Sequence, residues 1–164
     1  GSVLRAIEVP DIGGDPLWAD MGAAYDRLTP TMQARIDGMT AVHDWYTNFG
    51  LAMDPAERER LRPQFPAVEH PVVRTHPESG EKILFVNPGF TSRIKELTLN
   101  ESDALLGHLF KHLTQEAFVY HHKWAPDMLT MWDNRCTAHM AEGGYDGHLR
   151  LMHRTTVAGT PPAP

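Results

Sequence analysis

Three side chains in the last third of the sequence could do chemistry together: His139, Arg150 and Arg154. A neutral imidazole suits iron, zinc and copper alike. A planar guanidinium grips a carboxylate through two parallel hydrogen bonds. Arg150 and Arg154 lie four apart in Leu149-Arg-Leu-Met-His-Arg-Thr-Thr-Val157, where period-2 alternation places both on one face of a strand. One imidazole holds no metal alone, and each residue taken singly reads as a core or surface histidine or a solvated arginine. Their joint spacing fits one metal ligand beside an anion clamp.

Several elements must position them. Met128 to Trp132 reads as a buried strand, Asp133-Asn134 as a tight polar turn before His139, and 149–158 as a β-rich run. Further strands are expected over 3–10, 71–76, 82–86 and 118–124, the last pairing with 128–132 across Ala125-Pro-Asp127. From Trp18 to about Asp37 the spacing of Trp18, Met21, Tyr25 and Leu28 predicts helix, with Thr29-Pro30 restarting a second one. His43 to Phe49 reads as a helix end, and Asp54 to Arg62 as a capped, charged helix with a solvated face. Asn100 to Leu113 is the clearest helix, with Asn100 as N-cap and an apolar stripe at Leu105, Leu106, Leu109, Phe110 and Leu113.

The run Trp132-Asp-Asn-Arg-x-x-x-His139, followed by Arg150-x-Met-His-Arg154, resembles the C-terminal signature of the taurine dioxygenase family. Gly13-Gly-Asp-Pro-Leu-Trp18, His70-Pro-Val-Val-Arg-Thr-His-Pro77 and Phe85-Val-Asn-Pro-Gly-Phe-Thr-Ser-Arg93 carry the likeness along nearly the whole chain. The resemblance implies a single domain portion over 1–164: mainly β with flanking helices, a double-stranded β-helix or distorted jelly roll. It implies an enzyme that uses Fe(II), 2-oxoglutarate and dioxygen to hydroxylate a small organic substrate, with release of succinate and CO2. Family substrates include sulfonates, sulfate esters and aryloxyalkanoates.

Position by position, the likeness makes His139 the distal histidine of a two-histidine, one-carboxylate triad. Arg154 becomes the partner of the distal carboxylate of 2-oxoglutarate, and Arg150 a second arginine that orients it. Asn48, Phe49, Phe90 and Trp132 become substrate-binding candidates. Pro16 stands where relatives often carry a threonine whose hydroxyl contacts 2-oxoglutarate, a bond proline cannot donate. The family's other two metal ligands come from a His-x-Asp motif expected shortly before Gly1, and no His-x-Asp occurs in these 164 residues. The chain is therefore expected to be the C-terminal part of the enzyme, lacking its N-terminal strands and inactive by itself.

Other histidine patterns are weaker. His76-Pro-Glu78 has the spacing of a triad pair, but Pro77 and Ser79-Gly80 place Glu78 in a hairpin turn, facing water. His108 and His112 stand one turn apart, yet Leu109 replaces the glutamate a zinc hydrolase needs, so both read as solvated. A non-catalytic β-rich binding or oligomerisation module derived from the same fold is the alternative.

Composition narrows the partners. The chain is 41% hydrophobic and 22% charged with a net charge of −6, and has no block of Lys or Arg, so nucleic acid is not an expected partner. No run of eighteen apolar residues and no basic-then-apolar leader occurs, so no membrane partner is expected. A lone Cys136 agrees with a reducing cytoplasm. A homo-oligomer is compatible with all of this.

Overall fold

The computed structural model describes residues 1–47 and 49–160, so Asn48 lies outside the described residues. The chain is mainly β with flanking helices. Strand β1 (Ser2–Glu8) lies between β11 (Leu151–Thr156) and β9 (Leu129–Trp132), and β2 (Pro16–Asp20) between β10 (Thr137–Ala141) and β8 (Val119–His121). Strand β3 (Thr40–His43) lies between β4 (Val68–Pro71) and β7 (Thr91–Ile94), and β5 (Val73–Thr75) pairs with β6 (Lys82–Leu84). All of these pairings are antiparallel.

Helices α1 (Met21–Asp26), α2 (Pro30–Ile36) and α4 (Leu99–Leu113) flank the sheets, and α3 (Pro55–Leu61) has no buried residue, as its charge run predicts. Leu105, Leu106, Leu109 and Leu113 on α4 pack with Ala24, Tyr25 and Leu28 and with Val72, Ile83, Leu84 and Ile94. Burying each large apolar side chain contributes about 1.5–3 kcal/mol, so this layer fixes the sheets against α4.

Several sequence expectations need correction. Trp18 belongs to β2, not to a helix, because Asp20 caps α1: its Oδ1 accepts the amides of Gly22 and Ala23, so the helix starts only at Met21. The cap of α4 is Thr98, not Asn100, in a capping box with Glu101. His43 ends a strand, not a helix, and two short 3-10 turns, Trp45–Thr47 and Phe49–Ala52, follow. The expected pairing of 118–124 with 128–132 does not form; β8 pairs with β2 and β9 with β1. The hairpin across 77–80 does form, as β5 and β6.

Candidate metal and anion site

His139 is placed by β10, where it stands opposite Trp18 of β2. Its ring lies 5.2 Å from that of Trp132 on β9, and Trp132 lies 5.2 Å from Trp18. Trp18 in turn meets His122 at 5.5 Å, so an aromatic wall backs the imidazole. The indole nitrogens of Trp18 and Trp132 are buried without a hydrogen-bond partner among the described residues. Crowding by these neighbours, and then the Arg154 charge, hold the His139 pKa below its ordinary value. The imidazole is thereby kept neutral near pH 7, the form that ligates metals.

Arg154 reaches the same region from β11. It stands opposite Leu4 of β1, while Trp132 stands opposite Ser2, two residues earlier on that strand. Alternation therefore puts Arg154 and Trp132 on one face of this sheet. The Arg154 Nη2 donates to Ser2 Oγ at 3.3 Å, and Asn134 Nδ2 donates to the same oxygen at 2.8 Å.

Arg150 does not follow the expected alternation. It lies just before β11, and the β1–β11 register shifts between Ala6 and Glu8. Its Nε donates to the carbonyl of Gly14 at 3.2 Å, and its guanidinium lies 5.6 Å from the Tyr145 ring. Gly14 has φ +73°, and a Cβ there would come within 2.9 Å of Arg150 Cδ, so both backbone and packing require glycine. Pro16 opens β2 opposite Ala141, and its carbonyl accepts the His122 amide at 3.0 Å.

Of the remaining substrate candidates, Phe49 and Phe90 meet each other at 5.1 Å, both largely exposed, beside the end of β3, where the Asp44 amide donates to the Phe90 carbonyl. Trp132 stands with His139 instead. Sequence reasoning gave no role to Trp18, His122, Ser2 and Asn134; Trp18 and Asn134 both lie within motifs the sequence carries, and the helical spacing of Trp18 masked its place in a strand.

A second polar cluster lies just across the turn. Donor atoms of His76, Asp133 and Cys136 fall within 4.8 Å of one another. Its Asp133 carboxylate, however, already takes Arg135 Nε at 2.9 and 3.0 Å and Nη2 at 2.6 Å, and lies 3.4 Å from His76 Nε2. The Arg135 guanidinium holds the Asp133 carboxyl well below the usual carboxylate range. Burial raises the Cys136 pKa, so the thiol stays protonated. The buried guanidinium of Arg74 adds a second positive charge against any cation. Arg135 Nη1 also binds Glu78 at 2.8 Å, so His76 and Glu78 tie the β5–β6 turn to Asp133 and Arg135 respectively, not to a shared metal position. Glu78 remains mostly exposed, as its place in the turn predicts. His108 is exposed, but His112 is not simply solvated: its Nε2 lies 2.7 Å from the Ala24 carbonyl and fastens α4 to α1. No helix among the described residues is long and apolar enough to cross a membrane.

Comparison with known proteins matches residues 1–156 to the family described as taurine catabolism dioxygenase TauD, TfdA family. The alpha-ketoglutarate-dependent 2,4-dichlorophenoxyacetate dioxygenase of Cupriavidus pinatubonensis is 41% identical, over 95% of this chain and 54% of its own. The alpha-ketoglutarate-dependent sulfate ester dioxygenase of Pseudomonas putida is 37% identical, over 98% of this chain and 56% of its own. The chain spans about half the length of these curated relatives. Among solved structures, a taurine dioxygenase from Burkholderia xenovorans superposes with a TM-score of 0.80 at 34% identity, covering 98% of this chain and 52% of that one. AAD-2, solved in complex with Mn(II) and N-oxalylglycine, superposes with a TM-score of 0.87 at 36% identity, covering 98% of this chain and 64% of that one. The jelly-roll class expected from sequence is the fold of these neighbours.

Proposed function

The chain belongs to the TauD/TfdA dioxygenase family, and from that premise we propose that the protein is an Fe(II)- and 2-oxoglutarate-dependent dioxygenase. Its proposed substrate is a small organic anion of the sulfonate, sulfate ester or aryloxyalkanoate class, hydroxylated with release of succinate and CO2 in the cytoplasm. The named activities of relatives support the class. The observation that carries the reading to this chain is the convergence of His139, Trp132 and Arg154 from three separate strands.

His139 fits the role of iron ligand because its ring is neutral near pH 7 and retains an exposed side. This chain supplies one ligand of the set, since no His-x-Asp pair occurs in it. By itself it is expected to hold iron weakly and to turn over nothing. When bound, the iron supplies dioxygen activation coupled to oxidative decarboxylation of 2-oxoglutarate.

The chain's own residues bind and exclude. Arg154 is assigned to the distal carboxylate of 2-oxoglutarate, and Arg150 to a second contact with the anion. Pro16 offers no donor there, which leaves more of the grip to the arginines. Trp18 and Trp132 form an apolar wall that keeps water from the imidazole's inner side. Phe49 and Phe90, with Asn48, are assigned to the substrate's organic portion.

The test is succinate formation from 2-oxoglutarate by the intact protein with Fe(II), with sulfonate, sulfate ester and aryloxyacetate substrates supplied in turn. The wild type is expected to form succinate in step with one of these classes, and His139→Ala to form none. Near-wild-type succinate production by His139→Ala overturns the assignment.

A further inference from the structure

Beside Arg154 lies a hydroxyl whose placement the proposed chemistry does not by itself require. Ser2 is wholly buried in β1, opposite Trp132 on one side and Thr156 on the other. Its Oγ accepts from Asn134 Nδ2 and from Arg154 Nη2. The first donor comes from the turn that leads to His139, the second from β11. One buried oxygen thus joins the arginine's strand to the turn that precedes the metal-binding candidate.

We propose that Ser2 and Asn134 are positioning residues for Arg154, presetting its guanidinium for an incoming carboxylate; this rests on the reading of Arg154 as an anion clamp. A hydroxyl has two acceptor lone pairs and one proton that rotates freely. With the Asn134 amide on one lone pair and Arg154 on the other, the Ser2 proton is turned away from the cation. Remove the amide, and the hydroxyl can swing its proton toward the guanidinium. One N–H of Arg154 is spent on Ser2, leaving the others for the ligand. The side chain is then ordered before binding instead of during it, which raises affinity by lowering the ordering cost.

Asn134 is itself held in place. The Asp133 carbonyl accepts the Thr137 amide at 3.2 Å and the Thr137 hydroxyl at 2.7 Å, and the Asp133 carboxylate accepts the Arg135 amide at 2.8 Å. The turn is rigid around the residue that presents its amide to Ser2.

The experiment uses the intact protein loaded with Mn(II), so that no turnover occurs, and calorimetry with 2-oxoglutarate as the probe. Ser2→Ala and Asn134→Ala are each expected to weaken binding about three- to tenfold, the size of one modest hydrogen bond. Arg154→Ala should weaken it more, and Ser2→Ala combined with Arg154→Ala no further than Arg154→Ala alone, because both act through one group. Full additivity in that cycle overturns the proposal. Asn134→Ala, on a solvent-exposed turn residue, serves where Ser2→Ala fails to fold.

A second readout separates the two claims. In the metal-free protein, guanidinium NMR signals of Arg154, assigned by their loss in Arg154→Lys, should report a fixed side chain in the wild type and an averaged one in Ser2→Ala and Asn134→Ala. If Arg154→Ala leaves 2-oxoglutarate affinity unchanged, the clamp reading falls, and with it the ligand named here. Unchanged Arg154 signals in both positioning variants overturn the positioning claim whatever the affinities show.

Discussion

Two polar clusters draw on the Asp133–Cys136 turn and its flanks, and they differ in how completely their hydrogen bonds are used. On one side, Asp133 is saturated by Arg135 and approached by His76, and Arg135 is further tied to Glu78. On the other, among the described residues the His139 ring meets Trp132 and feels the Arg154 charge, and Arg154 commits one N–H to Ser2. Both clusters contain a histidine, an arginine and residues of the same short stretch. In the saturated one Arg135 already occupies the Asp133 carboxylate, and the cluster ties the β5–β6 hairpin to the turn. The unsaturated one keeps its ligating and donating atoms available, at the site where the proposed chemistry needs them.

That contrast predicts opposite phenotypes. In the intact protein, His139→Ala should reduce succinate formation by more than about a hundredfold, beyond the loss typical of a residue that merely supports a metal ligand. Its unfolding free energy should change by less than about 1 kcal/mol, as for an exposed side chain outside the core. Asp133→Ala should do the reverse in stability, losing about 1.5–3 kcal/mol in denaturant unfolding, the range for hydrogen bonds to charged groups, as Arg135 and Arg74 lose their shared counter-charge. Equal stability losses in the two variants would erase the distinction.

Acid sharpens it further. Asp133 has a depressed pKa, so its stabilisation is present above the unfolded carboxylate value and is lost only as pH falls through the lower folded one. Between pH 7 and 5 the Asp133 carboxylate should be silent. His43 is different: burial, and then the neighbouring His70, pull its pKa from 6.5 to about 4. In that interval the unfolded chain binds the proton and the folded chain does not, so stability falls as pH falls from about 6.5 towards 4. The loss should be on the order of 3 kcal/mol. Chemical unfolding measured across this range should show it in the wild type and a much flatter profile in His43→Phe; an equally steep profile in both would place the acid sensitivity elsewhere.

The smallest effect concerns the clamp. Arg154→Ala should raise the 2-oxoglutarate concentration for half-maximal turnover about ten- to a hundredfold, and Arg154→Lys should fall between it and the wild type, because lysine keeps the charge but not the fork. Unchanged values in both would leave Arg150 as the clamp.

Much of this was legible in the sequence, and the failures have physical causes. The stripe on α4, the 77–80 turn and the convergence of Trp132, His139 and Arg154 could be read because each rests on local periodicity or on a motif that the chain carries intact. Strand β2 could not, because Trp18, Met21, Tyr25 and Leu28 repeat at helical spacing and only the Asp20 cap decides where the helix begins. Arg150 escaped because a register shift breaks the alternation that strand logic assumes. Strands β8 and β9 are neighbours in sequence yet pair with different partners, a choice that tertiary packing makes and local pattern does not. Ser2 and Asn134 stand 132 positions apart, and no spacing rule connects them.

The central claim is that the unsaturated cluster, not the saturated one, is the metal site. Titrating Mn(II) into the protein labelled with 15N-histidine and 15N-tryptophan tests this directly, since a paramagnetic ion broadens the signals of the side chains it approaches. The His139 ring and the Trp132 indole are expected to broaden first while His76 stays sharp. Broadening of His76 ahead of His139 would contradict it.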